Sequence, residues 1–355
     1  MSSNGRAARV SVVTGGAGFV GTNVVSRLAE QGKRVVVVDN LSRPGVEQNL
    51  TWLQRTYGDR IEFELGDVCD AQTLRRALRH ASEVFHLAAQ VAVTTSLDDP
   101  LHDLEVNTLG TLTLLEELRR LDEPPPLLFT STNKVYGALP DLELVRRGDR
   151  WEPRAPLLRE TGISEHRALD FCTPYGCSKG AADQYVRDYA KSYGLRTVVF
   201  RMSCIYGPHQ HGNEDQGWVA HFLLRARAEE PLTIYGDGAQ VRDILYVDDL
   251  VDAMQLALAH ACEPEVRGQA FNIGGGPANT VSLLELLDLI ATLEDAAPIV
   301  DWAEERTGDQ RYYVSDTTRF GELTGWRPRV DVREGVTALH RWLARGRTAV
   351  GAHGR

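Results

Sequence analysis

Three stretches of the chain carry residues whose type and spacing could do chemistry together. YGCSK puts Tyr175 and Lys179 four positions apart, hence on one helix face. A phenol with a reference pKa of about 10 is only about 0.1% ionised at pH 7. Lowering it to about 7 takes roughly 4 kcal/mol, and an ammonium at about 4 Å supplies that order of energy at an effective dielectric of about 20. The pair is thus a usable base for removing a proton from a hydroxyl. TSTNKVYG, at 130–137, is a Thr/Ser-rich segment at the end of the fifth strand that would meet the same place as this pair. TGGAGFVG, at 14–21, places Gly15, Gly18 and Gly21 where a strand turns into a helix. Such glycines allow a tight turn, close approach of a pyrophosphate, and helix–strand packing. The helix amino end adds N–H donors and a positive dipole. A lone glycine triplet can serve any strand–helix turn, and a lone Tyr-x-x-x-Lys pair is common on exposed helices. Their combination carries the inference.

The elements that must position these residues alternate. Short apolar runs at Arg9–Thr14, Arg34–Asp39, Ile61–Leu65, Val84–Leu87, Leu127–Ser131 and Thr197–Met202 read as buried parallel strands. Helical patterns lie between them, including Leu101–Leu121 and Tyr175–Tyr193. The expected fold is α/β: a Rossmann doubly wound parallel sheet with ligands at the strands' carboxyl ends and a smaller C-terminal substrate-binding domain. Residues 1–202, rejoined by 243–273, would form the nucleotide-binding domain; 203–242 and 274–355 would form the substrate domain. Helices are expected at Val247–His260, Ser282–Leu293 and Arg333–Arg345, a strand at Ala270–Ile273, and a frayed tail from 347.

The second strand, RVVVVD, ends in Asp39, an acid that suits ribose hydroxyls and repels a 2′-phosphate. NAD is therefore expected rather than NADP, with Arg43 the one nearby feature in favour of a phosphate. Asp67 would lie near the adenine edge or cap a helix at Ala71–Arg79. Ala88 and Ala89, after the fourth strand, are small enough to let backbone approach the cofactor, whereas His86 reads as a packed core residue. Asn107 is a polar helix residue or a hydrogen-bonding brace.

Composition narrows the class. Of 355 residues, 43% are hydrophobic and 25% charged, which is ordinary globular composition. Thirty-nine basic against 49 acidic residues leave a net charge of −10, which argues against nucleic-acid or membrane-surface binding. Five cysteines show no metal-ligand spacing, and His209 and His211 lack further ligands, so no metal is expected. The start lacks the apolar run of a secretory signal, and the charge-free stretch Val10–Ser26 contains four glycines. A cytoplasmic location is expected.

On these residues, and on DNLSRPG (39–45), QVAVTTS (90–96), LDFCTPYGCSKGAADQYVRDYA (169–190), DQGWV (215–219) and GAQVRDILYVDDL (238–250), the chain resembles the extended short-chain dehydrogenases/reductases of the NAD-dependent nucleotide-sugar epimerase/dehydratase family, from Arg9 to about Arg345. The resemblance implies Tyr175 as acid/base, Lys179 as its electrostatic partner and Thr132 as the hydroxyl that bonds the substrate. It implies a cofactor site that adds Phe19, Val20, Asn40, Val68, Leu87 and Gln90 to Gly15, Gly18, Asp39, Asp67, Ala88, Ala89 and Asn107. For a nucleotide-diphosphate sugar it implies Asn133, Lys134, Gln216, Gly217, Trp218, Arg242, Arg306 and Asp309, with Arg242 and Arg306 on the diphosphate. Their bland alternative is ion pairing with Asp243 and Asp309. Family dehydratases carry Asp-Glu after the threonine; Asn133-Lys134 cannot perform those acid and base roles, so dehydration is disfavoured. Within the family the chain most resembles a subgroup that inverts C2 of a CDP-sugar, and the 43-residue separation of Thr132 from Tyr175, longer than in the common 4-epimerases, agrees with that resemblance. Epimerisation at C4, or keto-reduction, of another nucleotide sugar is the alternative. Met202 stands where relatives carry histidine. A homo-oligomer, dimer or tetramer, is expected through helices 101–121 and 175–193.

Overall fold

Seven parallel strands make the central sheet in a computed structural model that describes residues 9–306 and 308–351. Five come from the first 132 residues: β1 (Val10–Thr14), β2 (Val35–Asp39), β3 (Ile61–Leu65), β4 (Ala81–His86) and β5 (Leu127–Thr132). Thr197–Met202 and Gln269–Ile273 complete it, in the order Gln269–Ile273, Thr197–Met202, β5, β4, β1, β2, β3. β1, β5 and all but Asp39 of β2 are buried throughout, as strands covered on both faces must be, with only small hydroxyl residues interrupting their apolar runs. The winding reverses between β1 and β4, and that reversal opens a crevice at their carboxyl ends.

Helices cover both faces. Phe19–Glu30, Val46–Tyr57 and Val247–Ala259 bury Leu28, Leu53, Leu250 and Met254 on one, where Phe320 also packs against Phe200, Phe271 and Trp326. Ala71–Ala77, Gly110–Arg119 and Thr173–Ser192 bury Leu74, Leu114, Leu118 and Val186 on the other. The helix expected over 101–121 is a composite. It starts at Pro100, with Asp99 accepting from the His102 amide, runs to Leu104, widens into a π-helical turn at Glu105–Leu109 and continues as Gly110–Arg119.

The remaining chain builds on Val241–Tyr246, which pairs with Cys204–Tyr206, Thr280–Ser282 and Tyr312–Tyr313. Helices Trp218–Arg227, Leu283–Glu294 and Val332–Gly351 enclose Phe222, Leu286, Ile290 and Leu339 beside it. Ser282 and Glu285 form a reciprocal capping box, which starts the middle helix one residue after the expected Ser282. The last helix passes the expected stop at Arg345 and continues through Gly351; residues 1–8 and 352–355 lie outside the described residues. Among the described residues all five cysteines are free, no cluster could hold a metal ion, and no helix is long and apolar enough to cross a membrane.

One buried polar network ties the sheet to helix Thr173–Ser192. Arg201 binds Asp183 through two hydrogen bonds of 2.9 and 3.0 Å, both side chains fully enclosed. Arg201 also donates to the Tyr136 hydroxyl, which donates to Asn272. Removing one partner leaves an uncompensated buried charge. Asp183→Ala is therefore expected to lower the unfolding free energy by about 3–5 kcal/mol, measured by urea denaturation; a loss below about 1 kcal/mol would show that Arg201 finds another partner.

Candidate active site

The loop after β1 has the shape of an anion cradle. Gly15 adopts a left-handed φ of +67°, and a Cβ there would sit 2.7 Å from the Ala88 amide nitrogen. Gly18 then opens helix Phe19–Glu30. Thr14 braces the loop against the end of β4, its hydroxyl accepting from the Leu87 and Ala88 amides. Thr14 also bonds His86 Nδ1 at 2.7 Å, and Thr111 bonds Nε2 at 3.0 Å. Burial, reinforced by Lys179, pushes His86 down to about 3 and keeps it neutral. It is the packed core histidine that the sequence suggested.

Asp39 does more than end β2. One carboxylate oxygen accepts from the Ala17 amide at 3.1 Å and the other from Leu41 at 2.9 Å, so the acid also locks the glycine loop. Burial raises its pKa, against those amides and Arg43. Asn40 donates to Asp67 at 2.8 Å, and Asp67 accepts from the Cys69 amide. The helix cap considered for Asp67 belongs instead to Asp70, which accepts from Gln72 and Thr73. Val68 is buried against Gly110, where a Cβ would clash at 2.8 Å. Asn107 is a brace: its amide group reaches Gln90 O, Asp103 and Ser178 at 3.0–3.1 Å. Its carbonyl oxygen is buried and has no partner among the described residues. A glycine cradle at a helix amino end, an anchored acid after β2, small Ala88 and Ala89, and this free acceptor fit a dinucleotide.

Thr132 ends β5 and starts the turn Asn133–Tyr136, accepting from the Lys134 amide at 3.2 Å. Helix Thr173–Ser192 starts with Pro174 in its first turn and presents Tyr175 and Lys179 to this strand end. Thr132 hydrogen-bonds the Tyr175 phenol, and Ser96 accepts from the Tyr175 amide. The expected depression of the phenol is absent. Burial pushes Tyr175 up to about 12, the Thr132 bond opposes this and Asp103 adds to it. Lys179 is itself pushed down to about 7 by burial, against Asp103 and Asp183. Its ammonium stands 4.3 Å above the Phe129 ring, and no described side chain accepts a hydrogen bond from it. Spacing puts the two groups on one face, and burial is the largest influence on each.

Beyond Thr132 lies a charged cluster. Arg242 donates to Asp309 at 2.6 Å, and Lys134 stands 3.7 Å from the same carboxylate while donating to Gly308 O. Burial works to raise Asp309, yet Arg242 and Lys134 hold it below the usual carboxylate range. Asn133 reaches Gln310 at 3.5 Å, and Gln310 donates to Gly137 O. Asp243, considered as the partner of Arg242, accepts instead from Ser203 and the Gly276 amide. Arg306 is likewise not on Asp309: it stacks 3.8 Å over Tyr235 and pairs with Glu214 and Asp215. Gln216 donates to Val91 O, and Gly217, at φ +72°, opens helix Trp218–Arg227. Trp218 packs edge-on against Phe222 and hydrogen-bonds the Cys204 thiol. Met202 is paired in register with Thr132 across the sheet. Sequence reasoning missed Asp103, Ser178 and Gln310. The first had a visible signal, because positions 103, 107 and 111 continue the inward stripe of Leu114 and Leu118.

This fold and site define a class: Rossmann enzymes that use a nicotinamide dinucleotide beside a threonine, tyrosine and lysine. The NAD dependent epimerase/dehydratase family matches residues 11–274, and the chain belongs to that family. It is 40% identical over 340 residues to the CDP-paratose 2-epimerase of Salmonella typhi, covering 94% of this chain and 98% of that one. It is 32% identical to dTDP-glucose 4,6-dehydratase 1 of Escherichia coli, covering 93% and 91%. The Thermus thermophilus UDP-glucose 4-epimerase in complex with NAD superposes with a TM-score of 0.76 at 32% identity, covering 94% of this chain and 98% of that one. The enzyme is NAD-dependent.

Tyr175→Phe removes only the hydroxyl. It should leave the fold and bound NAD intact yet lower kcat at least ~10²-fold, the lower end for a positioned acid/base. NAD content after denaturation and kcat measure the two effects separately. Near-normal turnover would assign the base elsewhere.

Proposed function

We propose that the enzyme inverts C2 of a CDP-linked sugar, interconverting substrates of the CDP-paratose and CDP-tyvelose type through a transient 2-keto sugar. The observation that carries this reading is the end of β5. Thr132 is followed by Asn133 and Lys134, each held by residues of the 308–310 loop. Neither an amide nor an ammonium can serve as the acid and base needed to eliminate water, which weighs against the dehydratase relatives. The resemblance to the Salmonella typhi 2-epimerase along 94% of the chain favours C2 and cytidine diphosphate.

In this reading the Tyr175 phenolate accepts the C2 hydroxyl proton and later returns it. Thr132 holds that oxygen, and the Lys179 ammonium favours the phenolate. When bound, NAD supplies the acceptor for hydrogen from C2 and its source for the opposite face. Gly15, Gly18, Phe19, Val20, Asp39, Asn40, Asp67, Val68, Leu87, Ala88, Ala89, Gln90 and Asn107 would hold it. Arg242 and Lys134 share one carboxylate, so their cluster carries a net positive charge suited to a diphosphate oxygen. Arg306 would exchange Glu214 and Asp215 for phosphate, with Gln216, Gly217 and Trp218 along the nucleotide. The five free thiols suit a reducing cytoplasm.

We also propose a homo-oligomer. Leu97, Leu101, Leu104 and Leu109 are 44–73% exposed along 93–109, and Tyr185 on the adjacent helix is 43% exposed. An apolar face of this kind suits a second copy of the same helices. A Leu101→Glu, Leu104→Glu variant should elute as a monomer in size-exclusion chromatography with light scattering; an unchanged mass would place the interface elsewhere.

The reaction is tested with a panel of CDP-, UDP-, GDP- and dTDP-sugars, followed by NMR of the product stereocentres. Inversion at C2 of a CDP-sugar is expected, and inversion at C4 would overturn the reading. Substrate deuterated at C2 should keep its label in the product, because hydrogen that passes to NAD and back never meets solvent. Substantial uptake of deuterium at C2 from heavy water in a single turnover would indicate proton abstraction instead.

A further inference from the structure

We infer that Asp103 is a positioning residue for the reaction, the counter-ion that keeps Lys179 charged inside the protein and fixes the orientation of Asn107. The inference rests on the reading of Tyr175 and Lys179 as the working pair.

The geometry isolates this carboxylate. Asp103 is fully buried, on the helix that packs across from Thr173–Ser192. Ser178 donates to one of its oxygens, and Asn107 donates to the other at 3.1 Å. Ser178 precedes Lys179, so the bond joins Asp103 to the backbone that carries the ammonium. The charged and titratable groups around Lys179 are few. His86 from β4 is neutral, with both ring nitrogens engaged by threonines. Asp183, one turn along the same helix, is bound in bidentate fashion by Arg201. Tyr175 is protonated, and Cys177 and His102 lie on the Asp103 side. Among the described residues, Asp103 has no arginine or lysine ion pair of its own. Asp183 is engaged by Arg201, so Asp103 is the negative charge not already claimed by a guanidinium that is available to a buried ammonium standing over the Phe129 ring.

The same carboxylate, together with Gln90 O, decides which way Asn107 points. Its amide faces Gln90 O, an Asp103 oxygen and the Ser178 hydroxyl. Carbonyl and carboxylate oxygens can only accept, so the NH2 end must face them. The Asn107 carbonyl is thereby kept as a buried, unengaged acceptor. A neutral amide at 103 could turn either end to Asn107 and would weaken that selection, leaving Gln90 O to hold it.

Removing one negative charge should lower the pKa of both Lys179 and Tyr175. A purely structural residue would change stability without moving both titrations the same way. The chain has only four lysines, Lys33, Lys134, Lys179 and Lys191, so Lys179 can be watched directly. In NAD-bound enzyme labelled with [13Cε]-lysine, the Lys179 signal, identified by its loss in Lys179→Arg, is titrated by NMR. Asp103→Asn should lower its midpoint by about 1.5–2.5 pH units, as expected of one charge roughly 5–8 Å away at an effective dielectric of about 20. The Lys134 midpoint should stay in place. Ser178→Ala loses the bond but keeps the charge, and should move Lys179 by less than about 0.2 units, below what removing a nearby charge would cause. With whichever nucleotide sugar is turned over, both limbs of the kcat–pH profile should move to lower pH in Asp103→Asn. An unmoved Lys179 midpoint, or an equal shift in Ser178→Ala, would overturn the inference. Should Asp103→Asn not fold, Asp103→Ser, smaller than the native side chain, carries the same expectation, and failure of both to fold would assign Asp103 a structural role. The NMR titration needs no substrate, so absence of turnover with CDP-sugars would count against the proposed reaction and leave this result standing.

Discussion

An ammonium buried at the carboxyl end of a parallel sheet is expensive, because water that would stabilise it has been removed. Lys179 is in that position, and much of the surrounding structure is arranged around it. Burial drives it toward neutrality, to about 7 even with Asp103 and Asp183 opposing. The opposing carboxylates, Asp103 and Asp183, come from two packed helices, and the second is already claimed by Arg201. His86, close by in β4, is kept from adding a competing charge by its two threonine hydrogen bonds. Phe129 fills the floor. A charge kept in this way acts through a medium of low polarizability, where its field on a neighbouring phenol is far larger than at the surface.

The substrate side uses the opposite balance. The protein carries a net charge of −10, yet the cleft beyond Thr132 concentrates Arg242 and Lys134 on the one carboxylate of Asp309. Arg306 is held a short distance along the chain by Glu214 and Asp215 and by the Tyr235 ring. A guanidinium in such pairs is already desolvated and oriented, so phosphate oxygens can replace carboxylates at little reorganisation cost. Local charge, rather than net charge, thus suits the cleft to an anionic ligand.

Two connections bind these regions into one site. β5 delivers Thr132 to the phenol and, two residues later, Lys134 to Asp309, so chemistry and charge cluster share a strand end. The turn at 213–217 bridges from Arg306 to Val91, beside the end of β4. Changes in either segment would be felt in both halves of the cleft.

The sequence by itself determined the winding of the sheet, the glycine cradle, Asp39 and the Thr132, Tyr175 and Lys179 set. All of these depend on local rules: period-two or continuous apolar runs, glycine where backbone must turn or approach, and the four-residue repeat of a helix face. What only the tertiary structure decided depends on distance across the chain. The exchange of ion-pair partners, Arg242 with Asp309 and Arg306 with Glu214, joins residues 67 and 92 positions apart. The high phenol and low ammonium come from burial, which no spacing reports. Asp103 reads in the sequence as one more acid in a helix with several; it becomes distinct only when helix packing seals it beside Ser178, within the field of Lys179. Electrostatic roles are set by what water can reach, and that is known only once the chain has closed around them.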